Sequence, residues 1–176
     1  MNKKNTNNKG FTLVELIVVL VILAILAAIL VPALLGYIDR AREKQYVLNA
    51  KSYLTATQAE FSSLYGEGKK PSAMTGTRLT TVQNTADAPA DTFIAFVGKD
   101  AVTDANKSSA ISSNHSAYTV LGAYYSYQGV NMVYDGTAWN KVDSYSVPSI
   151  PDPADATKTL ELTPYAIKGR VPTNPL

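Results

Sequence analysis

"NKKNTNNKGFTLVELIVVLVILAILAAILVPALLGYI", residues 2–38, decides how the rest of the chain is read. Residues 16–35 are apolar or small throughout. At a rise of about 1.5 Å per residue, a run of about 20 makes a helix of about 30 Å, the thickness of a bilayer core. Lys3, Lys4 and Lys9 precede it without an acid. By the positive-inside rule that end stays in the cytoplasm and the rest is exported. A secretory signal peptide is one reading, but its apolar region runs to about 7–15 residues and ends at a small-x-small site. Here Ala24, Ala27 and Ala28 lie inside a longer run, and no such site follows. A plain single-pass anchor is the other reading, and it leaves Glu15 behind an apolar overhang, Phe11 to Val14. An acid at that depth costs a few kcal/mol on insertion scales and marks a function by default. No Lys or Arg lies between Gly10 and Arg40 to pair with it. A cut after Gly10 would supply a cation: the new α-amine of Phe11, one helical turn from Glu15. In an assembly of such helices the amine of one chain can pair with the carboxylate of a neighbour and set their register.

The residues "KGFTLVELIVVLVILAILAAILVPALLGYIDRA", with the basic leader before them, resemble the class III leader and N-terminal helix of type IV pilins and pseudopilins. The likeness spans about residues 3–45 and rests on Gly10, Phe11, Thr12, Leu13, Glu15, the apolar run, Pro32 and Gly36. It implies that a prepilin peptidase, a membrane aspartyl protease, cuts between Gly10 and Phe11 and N-methylates Phe11. It implies that Glu15, with Phe11 and Thr12, guides the subunit into a helical filament. The implied partners are other pilin subunits, minor pilins among them, the prepilin peptidase, the membrane, and an assembly platform with its ATPase. The implied location is the cytoplasmic membrane before assembly and the cell surface after it. No cofactor, metal or nucleic acid is called for. With the leader go three lysines, so the 16 basic side chains fall just below the 14 acidic ones.

Pro32 removes a helical hydrogen bond and crowds the carbonyl of Ala28. Membrane helices tolerate such a kink. The sharper reading makes Pro32 and Gly36 a segment that bends or unwinds in a fibre. Beyond it, Val47, Ala50, Leu54, Phe61 and Leu64 form one apolar stripe, flanked by Tyr46 and Tyr53, and Gly66, Gly68 and Pro71 stop the helix. The expected organisation is a leader at 1–10, an apolar helix at 11–38, an amphipathic continuation at 39–66 and a head at 67–176.

Residues 66–117 carry no firm period. Pro89–Val97 is expected as a short helix capped by Asp87 and ended by Gly98, with a strand as the alternative. Tyr118–Tyr127, Val130–Tyr134 and Thr137–Val142 read as strands joined at Gln128-Gly129 and Asp135-Gly136. The Asp-Gly pair predicts a two-residue hairpin. Trp139 is expected in the helix–sheet interface and tyrosines on both sheet faces. The tail holds most of the prolines and one β-like piece, Thr159–Leu162. The predicted fold is α+β, a long N-terminal helix on an antiparallel sheet of three to four strands, the pilin fold.

Chemistry is sparse. The absence of cysteine excludes disulfides, thiol nucleophiles and Cys-ligated zinc. It departs from the disulfide-closed loop of many Gram-negative pilins and looks more like Gram-positive ones. The single histidine, His115, sits in a Ser/Asn stretch and excludes a multi-His site. Asp100, Asp104 and Asn106 do not have EF-hand spacing, and Asp152 with Asp155 is as weak a pair. No phosphate loop, nucleophile elbow or dinucleotide fingerprint occurs. A structural, non-enzymatic subunit is expected, serving adhesion, motility, biofilm or DNA uptake. A pseudopilin of a secretion or competence machine is the alternative, and a membrane-anchored binding protein the second.

Overall fold

The computed structural model describes residues 10–98, 115–152 and 155–172, the side chains at 115–116 and 155–156 excepted. Lys3, Lys4, Lys9, Asp100, Asp104 and Asn106, and the side chains of His115 and Asp155, lie outside the described residues. The chain divides into two units, residues 1–43 and 44–176. Helix α1, Leu13–Gly66, runs through both without interruption and contains Pro32.

In the first unit every described side chain is exposed. Even Ile38, the most covered of the large apolar ones, is 39% open. Over residues 16–38 this is a cylinder apolar all round. A helix of that kind is stable only inside lipid or against other apolar helices.

The second unit has its own core. From Lys44 onward α1 buries one face: Ala50, Tyr53, Ala56, Phe61 and Leu64 pack in a cluster with Phe93, Ala95, Val97, Tyr125, Met132 and Ile167. The predicted stripe is correct in period but displaced at its edge. Tyr53 is not a flank; it is 1% exposed and stacks on Phe93 at 5.1 Å. Val47 and Leu54 are only partly buried. Thr57 is fully buried because its hydroxyl donates back to the Tyr53 carbonyl at 2.7 Å.

Five antiparallel strands form the sheet: β1 (Thr92–Gly98), β2 (Val120–Tyr127), β3 (Val130–Tyr134), β4 (Trp139–Val142) and β7 (Leu162–Lys168), in the order β4-β3-β2-β1-β7. The hairpin partners β5 (Pro151–Asp152) and β6 (Asp155–Thr159) make a separate ribbon. The fold is α+β, as expected, with a larger sheet.

Four expectations are corrected. Pro89–Val97 is not a helix: Thr92–Gly98 is strand β1, between β2 and β7. Its run Phe93–Val97 is apolar at every position because both faces are covered. Phe93, Ala95 and Val97 face the α1 side, while Ile94 and Phe96 join Tyr124 and Val133 in a second cluster. Asp87 does not start an element; it ends helix α2 (Thr77–Ala86) in the left-handed region, φ 42°. The Asp135-Gly136 pair is not a two-residue hairpin. Residues 135–138 form the turn, and Asp135 accepts from Thr137 N, Thr137 Oγ1 and Ala138 N, so that β4 starts at Trp139. The two-residue turn is Gln128-Gly129, with φ of 50° and 77°, the double positive φ that a type I′ turn requires. Finally, Thr159–Leu162 is not one strand: Thr159 ends β6, Leu162 begins β7, residues 160–161 separate them, and the strand added to the main sheet is β7.

Helix α2 buries Val82 and Ala86. Arg78 ties it to α1, with Nη1 at 2.9 Å from Glu60 and Nη2 at 2.7 Å from Glu67. Gln83 donates to the Ile167 carbonyl at 2.7 Å. Ile167 is the extra residue of a bulge between β1 and β7, so this side chain supplies a partner that the ladder does not. Gln58 acts similarly at the start of β2: its amide donates to Tyr118 O and accepts from Val120 N.

Candidate functional site: the processing and assembly segment

The predicted site residues, Gly10, Phe11, Thr12, Glu15, Pro32 and Gly36, all lie in the first unit. Gly10 and Phe11 precede the helix, and Phe11 is 91% exposed. Thr12 stands at the N-cap. Its backbone N–H and its hydroxyl both donate to Glu15 Oε2 at 2.8 Å. Its hydroxyl oxygen also accepts from Glu15 N at 3.2 Å. This reciprocal pair is a capping box, written in the sequence as Thr12-x-x-Glu15. Sequence reasoning sought a cationic partner for Glu15 and overlooked the threonine three residues before it. The first helical bond follows, from Leu16 N to Thr12 O at 3.3 Å.

The structure thus joins Thr12 to Glu15 directly. Pro32 and Gly36 lie within α1, whose helical geometry continues through both. A Cβ on Gly36 would meet nothing within 4 Å, so this glycine answers no contact inside the chain. Among the described residues one helix, α1, is long and apolar enough to cross a membrane.

Elsewhere the polar groups are engaged in structure. Among the described residues no cluster of three or more His, Asp or Glu could hold a metal. The Asp135 carboxyl is held down at about 2, first by the Ala138 N–H and then by the Thr137 donors; it braces a turn. Burial raises the Tyr125 phenol to about 12, and its hydroxyl donates to Pro89 O at 2.7 Å. A groove of about 530 Å³ lies between α1 and the β3–β4 hairpin, lined by Val47, Lys51, Leu54, Tyr134 and Trp139 among others. The Trp139 indole packs on Tyr134 at 5.4 Å. Its Nε1 is buried without a hydrogen-bond partner. The Trp139 ring is partly buried and packs against the core cluster that α1 shares with the sheet. Tyrosines occupy both sheet faces, Tyr125 towards α1 and Tyr124 in the opposite cluster.

Residues 5–31 match the family model described as the prokaryotic N-terminal methylation motif. Comparison with curated proteins and with solved structures gives no match. The matched residues contain the capping box, the Gly10–Phe11 bond and most of the apolar run. At its amino end the chain carries the class III signal peptide of type IV pilins and their relatives.

Proposed function

We propose that this chain is the precursor of a type IV pilus subunit. A prepilin peptidase hydrolyses the Gly10–Phe11 bond, leaving a carboxylate on Gly10 and an amine on Phe11, and that amine is methylated. The trimmed chain waits in the cytoplasmic membrane through α1 and then enters a surface filament. Its apolar cylinder exchanges lipid for neighbouring cylinders, and the second unit, residues 44–176, forms the coat. Association of helices out of lipid is governed by packing and a few polar pairs, because the hydrophobic effect acts equally in both states. Glu15 and the Phe11 amine of a neighbour supply such a pair. Pro32 and Gly36 supply a segment that yields when the helices crowd.

One observation carries this reading. A methylation motif leads directly into a helix whose large apolar side chains, from Leu13 to Ile38, are all exposed among the described residues. Shearing native cells tests it. The chain is expected in the sheared filament fraction, and in the membrane when the prepilin peptidase is deleted. A chain that stays in the membrane in both strains is a single-pass anchor, and the filament function falls. A chain that needs the peptidase but never appears in long filaments is a pseudopilin, for which the same motif speaks equally.

A further inference from the structure

We propose that the Thr12–Glu15 box is a positioning device for processing: it starts the helix at Leu13 and keeps the Gly10–Phe11 peptide outside it for the peptidase. The inference rests on the reading that the chain is cut at that bond. Helices propagate readily once begun, one hydrogen bond per residue fixed. Extension backward over Phe11 needs two donors in particular. Glu15 N would have to reach the Phe11 carbonyl, and Thr12 N the carbonyl of Asn8. Both are taken by the box, Glu15 N by the Thr12 hydroxyl at 3.2 Å and Thr12 N by the Glu15 carboxylate at 2.8 Å. The first helical bond is therefore Leu16 N to Thr12 O, one residue past Phe11. Gly10 adds to this, since glycine is a poor helix residue. A peptide bond in a helix has its carbonyl and N–H occupied and its backbone coiled, whereas a protease must grip extended backbone and reach the carbonyl carbon. The box thus separates two needs that meet within five residues: a stable helix for the membrane and an open bond for hydrolysis. Thr12 acts through backbone conformation, and any side chain that caps a helix should replace it.

The test uses the full-length chain in membranes, purified prepilin peptidase, and the rate of the mass loss that accompanies removal of residues 1–10. Thr12→Val keeps the shape and removes the cap. It is expected to slow cleavage by up to about fivefold, the full population shift that losing a typical cap of about 1 kcal/mol produces. Thr12→Ser and Thr12→Asn, both cap formers of different shape, are expected to restore the rate. Chemical shifts of Phe11 in detergent micelles are expected to turn helical in Thr12→Val alone. Equal cleavage of Thr12→Val and the unaltered chain overturns the inference. So does slow cleavage of all three variants, which would mean that the enzyme reads the threonine itself. In either case cleavage of the unaltered chain after Gly10 leaves the pilin reading standing. Failure to cut the unaltered chain there removes both.

Discussion

In the single chain Glu15 already has two donors from Thr12, both 2.8 Å from Oε2. In the proposed assembly its service is then an exchange or a sharing of partners, not the rescue of a lone charge. A neighbouring amine must compete with these bonds or use Oε1, and the charge of the carboxylate is what it would add. Glu15→Gln keeps a capping box, since glutamine serves at this position, but removes the charge. We expect it to insert in the membrane at normal levels and to fall at least tenfold in the sheared filament fraction, measured by immunoblot of both fractions. Normal incorporation would show that hydrogen bonding alone suffices. In the head, the same scale is set by full burial. Phe61 is 0% exposed and meets the Tyr165 ring edge-on at 5.2 Å. Phe61→Ala should cost about 3–5 kcal/mol by the usual scale of aromatic truncation in a core, read as a lowered denaturation midpoint of residues 44–176.

At the scale of elements, α2 is held by a small apolar contact, through Val82 and Ala86, and by the ion pairs of Arg78. Its sequence, TRLTTVQNTA, has weak helix formers and few apolar positions, which is why no period announced it. The Glu67 carboxyl is held at about 2, first by the hydrogen bonds from Arg78 and then by Lys69. In the unfolded chain it returns to an ordinary value near 4.5. A folded pKa below the unfolded one means that the charged form favours the fold. That contribution is present above about pH 5 and fades as pH falls through 4.5 towards 2. The pair is solvent-exposed, so the effect is small and screened by salt. We expect acid to loosen α2 before the sheet, seen as lowered amide-exchange protection factors in residues 77–86 near pH 3, and Arg78→Ala to lower the same protection factors at pH 7. Uniform exchange across α2 and β2 in acid would contradict this.

The legibility of the other elements follows from their surroundings. Strands β2 and β3 alternate between two covered faces with a turn between them, and the sequence shows both. Strand β1 lies inside the sheet with apolar residues towards both clusters, so it lacks alternation and reads as readily as a helix. Strand β7 contains Pro164 and pairs with β1 across more than 60 residues of chain. No local signal could join the two. Pro164 also suits an edge strand, where a missing N–H costs no ladder bond. At the amino end the capping box is legible in the sequence as Thr12-x-x-Glu15, beside a charge pattern that by itself gives Glu15 no partner.

The whole molecule combines a unit that completes itself with a unit that cannot. Residues 44–176 bury a core on both sides of the sheet. They should fold alone as a soluble domain with the cooperative unfolding of a single core. A deletion of residues 1–43 that aggregates or lacks a sharp thermal transition would contradict that. Residues 11–38 cover nothing of their own and need lipid or neighbours. Everything claimed for the assembled state depends on how the amino end is trimmed. The most direct measurement is the intact mass and N-terminal sequence of the protein recovered from its native cells. A chain that begins at Phe11 and carries one methyl group on its α-amine is the predicted result. A chain that retains Met1, or begins after residue 28, would contradict the processing on which the filament account stands.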